Sequence, residues 1–186
     1  MRRAAPIILL LLLAPALAHA LDVSGVHFDD RVTLEGTPLV LNGAGIRHAT
    51  IFGIEVYAAG LYVPSRTNDA SDVLGATHTR ELVVVMKRDV GQDQIGPAFR
   101  EAIERAAGTH VAALRSEIAA FAAWLPAMRE HDRLTVSFTP SSGLVIHATS
   151  APSTFHGGAA LADAVFGMWI GQHPVEDSLR DALLGR

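Results

Sequence analysis

Cysteine is absent from the whole chain. That removes a disulfide framework, a thiolate metal site and a cysteine nucleophile together, and leaves the fold to rest on packing. Past the N-terminal segment there is also no apolar run approaching the ~20 residues that cross a bilayer, because charged or strongly polar residues interrupt every hydrophobic stretch. No serine stands in a Gly-x-Ser-x-Gly elbow, and neither a glycine-rich phosphate loop nor a paired-carboxylate arrangement is present. Hydrolase and nucleotide-dependent readings therefore have no footing, and no cofactor is expected. Excess positive charge is lacking too: the formal net charge is −4, which argues against nucleic acid or an anionic membrane surface as a partner. Ligand spacing is missing among the histidines. His27, His48, His78, His110, His131, His147, His156 and His173 contain no pair at i, i+2 or i, i+4, so no metal is expected.

The N-terminus carries the three parts of a secretory signal. Arg2 and Arg3 form a short positive region, Ile7 to Leu13 an apolar run, and Ala18-His19-Ala20 a small-residue cleavage site. The alternative, a retained anchor, is opposed by the brevity of the run and by Pro6 and Pro15 on its flanks. Residues 1–20 are read as a signal peptide cleaved after Ala20, and 21–186 as one exported, periplasmic domain with no stable membrane insertion. Loss of the two arginines takes the formal charge of that domain to −6. No repeat or low-complexity linker divides it.

Its first half reads as antiparallel sheet. Val23, Gly25 and His27 alternate, as do Val32 and Leu34; Glu35-Gly36-Thr37-Pro38 is a turn, and Leu39-Val40-Leu41 is extended up to Asn42-Gly43. Ile46 to Phe52 and Ile54 to Val63 form a longer pair broken at Gly53, the second placing Ile54, Val56, Ala58 and Gly60 on one face and Glu55, Tyr57, Ala59 and Leu61 on the other. Asn68 or Asp69 caps a short helix, and Leu82 to Met86 is a strand covered on both faces. Ile95, Phe99, Ile103 and Ala106 recur at helical spacing, then Leu114, Ile118, Phe121 and Leu125 in a second helix stopped at Pro126. A hairpin turns at Pro140-Ser141-Ser142-Gly143. Helices over Gly158 to Ile170 and Val175 to Leu184 close the chain. The fold class expected is α+β, a large antiparallel sheet with helices packed on one face.

Two stretches carry a resemblance. The first is Leu41-Asn42-Gly43-Ala44-Gly45-Ile46-Arg47 followed by Val56-Tyr57-Ala58-Ala59-Gly60-Leu61-Tyr62-Val63; the second runs from Ala164 through Gly167-Met168-Trp169-Ile170-Gly171 to Val175, with the terminal helix after it. In this order they resemble the chalcone isomerase fold family, in its exported bacterial branch. The resemblance implies an open-faced sandwich with a ligand cleft between sheet and helices. Plant enzymes of the family close a flavanone ring by adding a phenoxide to an enone, other members bind fatty acids in the same cleft, and both use an arginine matched here by Arg47. A threonine of the plant enzymes is matched by Tyr57, and a polar residue on their late helix falls at about Met168, so the short hydroxyls that would position water and substrate are replaced.

Arg47 follows Gly43-Ala44-Gly45 in an otherwise apolar segment, where the glycines are expected to let the backbone turn tightly and approach a ligand. A permanently charged guanidinium suits a carboxylate or a developing enolate; an exposed strand arginine, or one paired to an acid such as Glu55, is the plainer alternative. Tyr57 beside it supplies a hydrogen bond. Phe99, Ile103, Met168 and Trp169 would line an apolar cleft, and are equally read as plain core. Tyr62, of opposite parity to Tyr57, is read as core. His156-Gly157-Gly158 is read as a loop leading into a helix.

Three functions follow. The first is a non-catalytic binder of a small amphipathic or aromatic acid, such as a fatty acid, headed by Arg47 and Tyr57. The second is an isomerase or intramolecular lyase on a chalcone-type enone, with Arg47 as electrophile and Tyr57 as proton donor. The third is a structural or partner-binding protein whose cleft is filled, signalled by a closed cleft and an internally paired Arg47.

Overall fold

The computed structural model describes residues 21–49 and 53–186. The expected signal segment and the last three residues of the Ile46 to Phe52 segment lie outside the described residues.

Two hairpins open the chain, and both turn on a residue pair at positive φ. Ser24 (49°) and Gly25 (78°) join β1 (Leu21–Val23) to β2 (Val26–Phe28), and Glu35 (48°) and Gly36 (82°) join β3 (Arg31–Leu34) to β4 (Thr37–Ala49). Paired positive φ values match the twist of the strands they connect. Thr37 and Pro38, expected in the turn, already belong to β4. So do Asn42 and Gly43: the two extended segments expected on either side of them are one 13-residue strand.

β5 (Ile54–Val63), β6 (Arg80–Met86), β7 (Arg133–Thr139), β8 (Gly143–Ala148) and β9 (Phe155–Gly157) complete a seven-stranded sheet in the order β3-β4-β5-β6-β7-β8-β9, antiparallel at every junction. β9 falls in a segment read as loop; it is only three residues long and gains its strand character by pairing with β8. The expected helix after Asp69 is a single 3-10 turn, Ala70–Asp72, whose Ser71 N–H donates to the Asp69 carboxylate at 2.8 Å.

One face of the sheet carries the helices α1 (Gln92–Ala107), α2 (Val111–Trp124), α3 (Ala159–Ile170) and α4 (Asp177–Leu183). α1 turns Ile95, Phe99, Ala102 and Ile103 inward. α3 is buried on nearly every side from Leu161 to Ile170, as befits a helix that is apolar all round and wedged between the sheet and its fellows. On the sheet side the same core takes Tyr57, Ala59, Leu61, Leu82, Val84, Val136 and Ile146. The opposite face is partly covered too. The β1–β2 hairpin closes it through Val26 and Phe28, which pack with Leu39, Leu41, Ala58, Tyr62, Val83 and Val85. Tyr62 is thus core on the face away from Tyr57, and Gly60 is small because a Cβ there would stand 2.6 Å from the Phe28 ring.

Alternation along β5 fails at one place. Arg47 pairs with Tyr57, but His48 pairs with Glu55, so Val56 is the extra residue of a bulge. Glu55 keeps to the hairpin side, where it accepts from the Ser24 hydroxyl at 2.7 Å, whereas Val56 turns with Tyr57 toward the helices. The expected grouping of Val56 with Ala58 and Gly60 is corrected by this bulge.

Candidate functional site

Gly43, Gly45 and Arg47 lie on the helix-side face of β4, opposite Leu61, Ala59 and Tyr57 of β5. β4 pairs with β3 only as far as Val40, so its later half is an edge on that side. α4 lies against it. A Cβ on Gly43 would collide with the backbone carbonyl oxygen of Ala182, and one on Gly45 would stand 2.8 Å from the Ala182 Cβ. Buried Asn42 locks the contact by donating to the Leu183 carbonyl at 2.7 Å and to the Thr67 carbonyl at 2.9 Å, while its oxygen accepts from Thr67 N–H at 2.8 Å. The glycines therefore admit a helix rather than a ligand, and neither adopts positive φ. That corrects the tight turn expected before Arg47.

With α4 seated on the two glycines, its N-terminal end meets the next residue on the same face. Arg47 Nη1 donates to Glu176 Oε2 at 3.1 Å. The same oxygen accepts from His48 N–H at 2.8 Å, and Oε1 contacts His48 Nδ1 at 3.2 Å and accepts from the Ser178 hydroxyl at 2.5 Å. Burial alone would raise the Glu176 carboxyl. The hydrogen bonds from Ser178 and His48 and the charge of Arg47 outweigh it and hold the carboxyl below its ordinary value. Arg47 is thus internally paired, with Glu176 and not with Glu55. Glu176 was invisible to sequence reasoning because its partner lies 129 positions away; the only signal was an acid beside the start of the terminal helix.

Arg47 and Tyr57, cross-strand neighbours, both line a cavity of about 540 Å³ between the sheet and α1, which α3 also lines through Met168. Val56, Met86, Ile95, Phe99 and Met168 supply its apolar wall, and Arg88, Arg105, Glu101 and Gln94 its polar rim. Of the six residues singled out in the sequence, Arg47, Tyr57, Phe99 and Met168 share this lining. Ile103 and Trp169 do not. Both are fully buried behind it, Ile103 in the core and Trp169 against Tyr57, whose Oη accepts from the indole Nε1 at 2.9 Å. Burial pushes the Tyr57 hydroxyl up to about 12, with the Trp169 hydrogen bond and the Arg47 charge pulling the other way, so it remains protonated at neutral pH.

Among the described lining residues Tyr57 carries the only hydroxyl, and there is no histidine. Among the described residues no three His, Asp or Glu side chains group as metal ligands, and no helix is long and apolar enough to cross a membrane. A larger depression of about 730 Å³ lies on the far side of α1 and α3, lined by Asp163, His173, Arg180 and Arg186 among others. It contains none of the six residues, and the small residues Ala106, Ala160, Ala164 and Gly167 are part of its lining.

No curated protein matches the chain. Among solved structures, a fatty-acid binding protein from Arabidopsis thaliana superposes with a TM-score of 0.67 over 89% of this chain and 96% of that one, at 14% sequence identity. The likeness is one of fold. The profile of the chalcone isomerase-like proteins matches residues 20–185, both glycine-rich β4 and the α3–α4 segment included, and the chain belongs to that family.

Proposed function

We propose that the protein binds a small amphipathic acid, such as a fatty acid, in the 540 Å³ cavity and performs no chemistry on it. The observation that carries the reading is the make-up of the lining: an apolar wall with Arg47 and Tyr57 side by side and Tyr57 as its one hydroxyl among the described residues. An apolar pocket with a few convergent polar groups is built to orient a ligand. Arg47 engages Glu176 through Nη1, and its Nε and Nη2 have no partner among the described residues, which leaves donors for a head group. Arg88 and Arg105 on the rim outnumber Glu101, a balance that favours an acid. The fold likeness to a fatty-acid binding protein points the same way.

Ring closure would need a positioned water or a second hydroxyl, and the places matched to those groups are filled by Tyr57 and Met168. The filled-cleft reading requires a closed cleft as well as a paired Arg47, and only the pairing is present. Export with cleavage after Ala20 remains part of the proposal; sequencing the N-terminus of protein recovered from its own host should begin at Leu21.

Native mass spectrometry of protein purified without detergent should show a co-purifying lipid or aromatic acid. In titration calorimetry, Arg47→Ala should bind dodecanoate about tenfold or more weakly than wild type, the size of a lost charged hydrogen bond. Glu176 keeps its bonds from His48 and Ser178 in that variant, so the fold survives. No co-purifying ligand, together with equal affinity in Arg47→Ala, would refute the reading. Turnover of a chalcone that disappears in Arg47→Ala would replace it with the isomerase reading.

A further inference from the structure

Trp169 sits one layer behind the head-group end and does not line the cavity. Its indole Nε1 donates to Tyr57 Oη at 2.9 Å, both side chains are buried, and Phe99 packs edge-on against the indole with 5.9 Å between ring centroids. An indole N–H is a donor and nothing else. The phenol oxygen that accepts it must therefore send its own proton elsewhere. Among the described residues nothing accepts a hydrogen bond from Tyr57, and its cross-strand neighbour Arg47 has only donors to offer. Among the described residues, the remaining direction is the cavity that Tyr57 lines.

We infer that Trp169 is a positioning residue that sets the polarity of the site: by occupying the acceptor side of Tyr57 Oη it makes Tyr57, like Arg47, a donor toward the cavity, so that the site selects head groups that accept hydrogen bonds. The inference rests on the binding reading above. Its consequence is specificity. A carboxylate satisfies both Arg47 and Tyr57, whereas an alcohol must present its oxygen to two donors and finds in neither of them an acceptor for its own proton. Sites whose buried polar groups are left unpaired by the wrong ligand discriminate against it. Trp169 achieves this without touching the ligand, because a fixed donor behind the phenol removes the rotamer in which Tyr57 would accept.

The test compares dodecanoate with dodecan-1-ol, which share one tail. Wild type should prefer the acid. In Trp169→Phe, which keeps an aromatic ring against Phe99 but deletes the N–H, Tyr57 is free to accept from the alcohol, and the acid-to-alcohol affinity ratio should fall by about threefold to tenfold, the worth of one net hydrogen bond. An unchanged ratio overturns the inference and leaves the binding reading standing. Failure of wild type to bind either probe overturns both.

A second measurement needs no variant at position 169. Hydrogen bonds in a chain polarise one another, so the Trp169 indole proton resonance, identified by its displacement in Tyr57→Phe, should move downfield when wild type is saturated with dodecanoate and move less with dodecan-1-ol. A resonance unmoved by bound dodecanoate overturns the inference even if Trp169→Phe does not fold.

Discussion

Substitutions at Gly43 and Gly45 separate two kinds of close approach between β4 and α4. At Gly45 an added methyl would meet the Ala182 Cβ at 2.8 Å and a Leu179 methyl at 3.2 Å, contacts made by side chains. At Gly43 it would meet backbone: the Ala182 carbonyl oxygen, well inside contact distance, and the Leu183 carbonyl oxygen at 3.0 Å. Relief at Gly43 requires α4 to lift away, which stretches the 2.7 Å bond from Asn42 to Leu183. Overpacking costs about 1–3 kcal/mol, and loss of a buried hydrogen bond adds about 1–3, so Gly43→Ala should destabilise by about 2–6 kcal/mol. For a domain of this size that lowers Tm by about 4–24 °C, at about 2–4 °C per kcal/mol. Gly45→Ala should cost about 1–3 kcal/mol, from overpacking alone. Adding Ala182→Gly removes the methyl that Gly45→Ala strikes but not the carbonyl that Gly43→Ala strikes. A double-mutant cycle by urea denaturation should give a favourable coupling of about 1 kcal/mol for positions 45 and 182 and near zero for 43 and 182. Equal coupling in both cycles, or a Gly43→Ala variant as stable as wild type, would refute the packing argument.

Arg80, fully buried on β6, lies between the Phe138 and Phe166 rings at 4.5 and 4.8 Å and donates to the Gly75 and His78 carbonyls and to Asp163. Arg80→Ala should cost on the order of 2–5 kcal/mol in urea denaturation, as for a large buried side chain cut back to alanine, since Asp163 is 40% exposed and keeps its charge in solvent; a loss below ~1 kcal/mol would mean the rings close over the gap. The Glu176 carboxyl is held below its ordinary 4.5, so its contribution is present above that value and is lost as pH falls through the folded one. Glu176→Gln, which does not titrate, should lose less stability than wild type on acidification through that range, a difference that pH-dependent thermal melts would detect. Glu35 reaches from the β3–β4 turn to the hydroxyls of Thr139 at the end of β7 and of Ser141 and Ser142 in the β7–β8 turn. Glu35→Ala should raise amide exchange at Ser142, whose N–H bonds the Thr139 hydroxyl at 3.0 Å, without disturbing the strands between.

Most of the sheet and every long helix were legible because burial imposes a period. Leu134, Val136 and Phe138 alternate in β7 and all face the helices; Ile95, Phe99 and Ile103 recur in α1 and all face the sheet. What the pattern missed is set by non-local pairing. β9 is three residues that extend because β8 is beside them, and the bulge at Val56 exists only relative to β4. Arg80 was unreadable as core for a related reason. A charged residue at a strand end looks exposed until two phenylalanines from β7 and α3 and an aspartate from α3 are brought to it. At the site, the sequence pointed to Arg47 and Tyr57 as neighbours, and the register pairs them directly. Trp169 and Ile103 were grouped with the lining because helical spacing places residues on an inward face but does not say which layer of that interior they reach.

The two stretches that carry the family resemblance are more than 100 positions apart, and three side-chain hydrogen bonds join them. Asn42 bonds Leu183, Arg47 bonds Glu176, and Tyr57 accepts from Trp169. In each pair one partner comes from the β4–β5 strands and the other from α3, α4 or the turn between them. Of the three, only the residues on the strand pair that line the cavity, Arg47 and Tyr57, are in a position to touch a ligand. The shared motif is therefore chiefly a scaffold: small residues on β4 seat α4, α4 brings a carboxylate to Arg47, and α3 brings a donor to Tyr57. The polarity of the head-group end is fixed from behind by residues that a list of cavity contacts would omit. Changes in the C-terminal helix should accordingly alter affinity for the acid head while leaving the apolar wall of the cavity, built from β5, β6, α1 and Met168, unchanged.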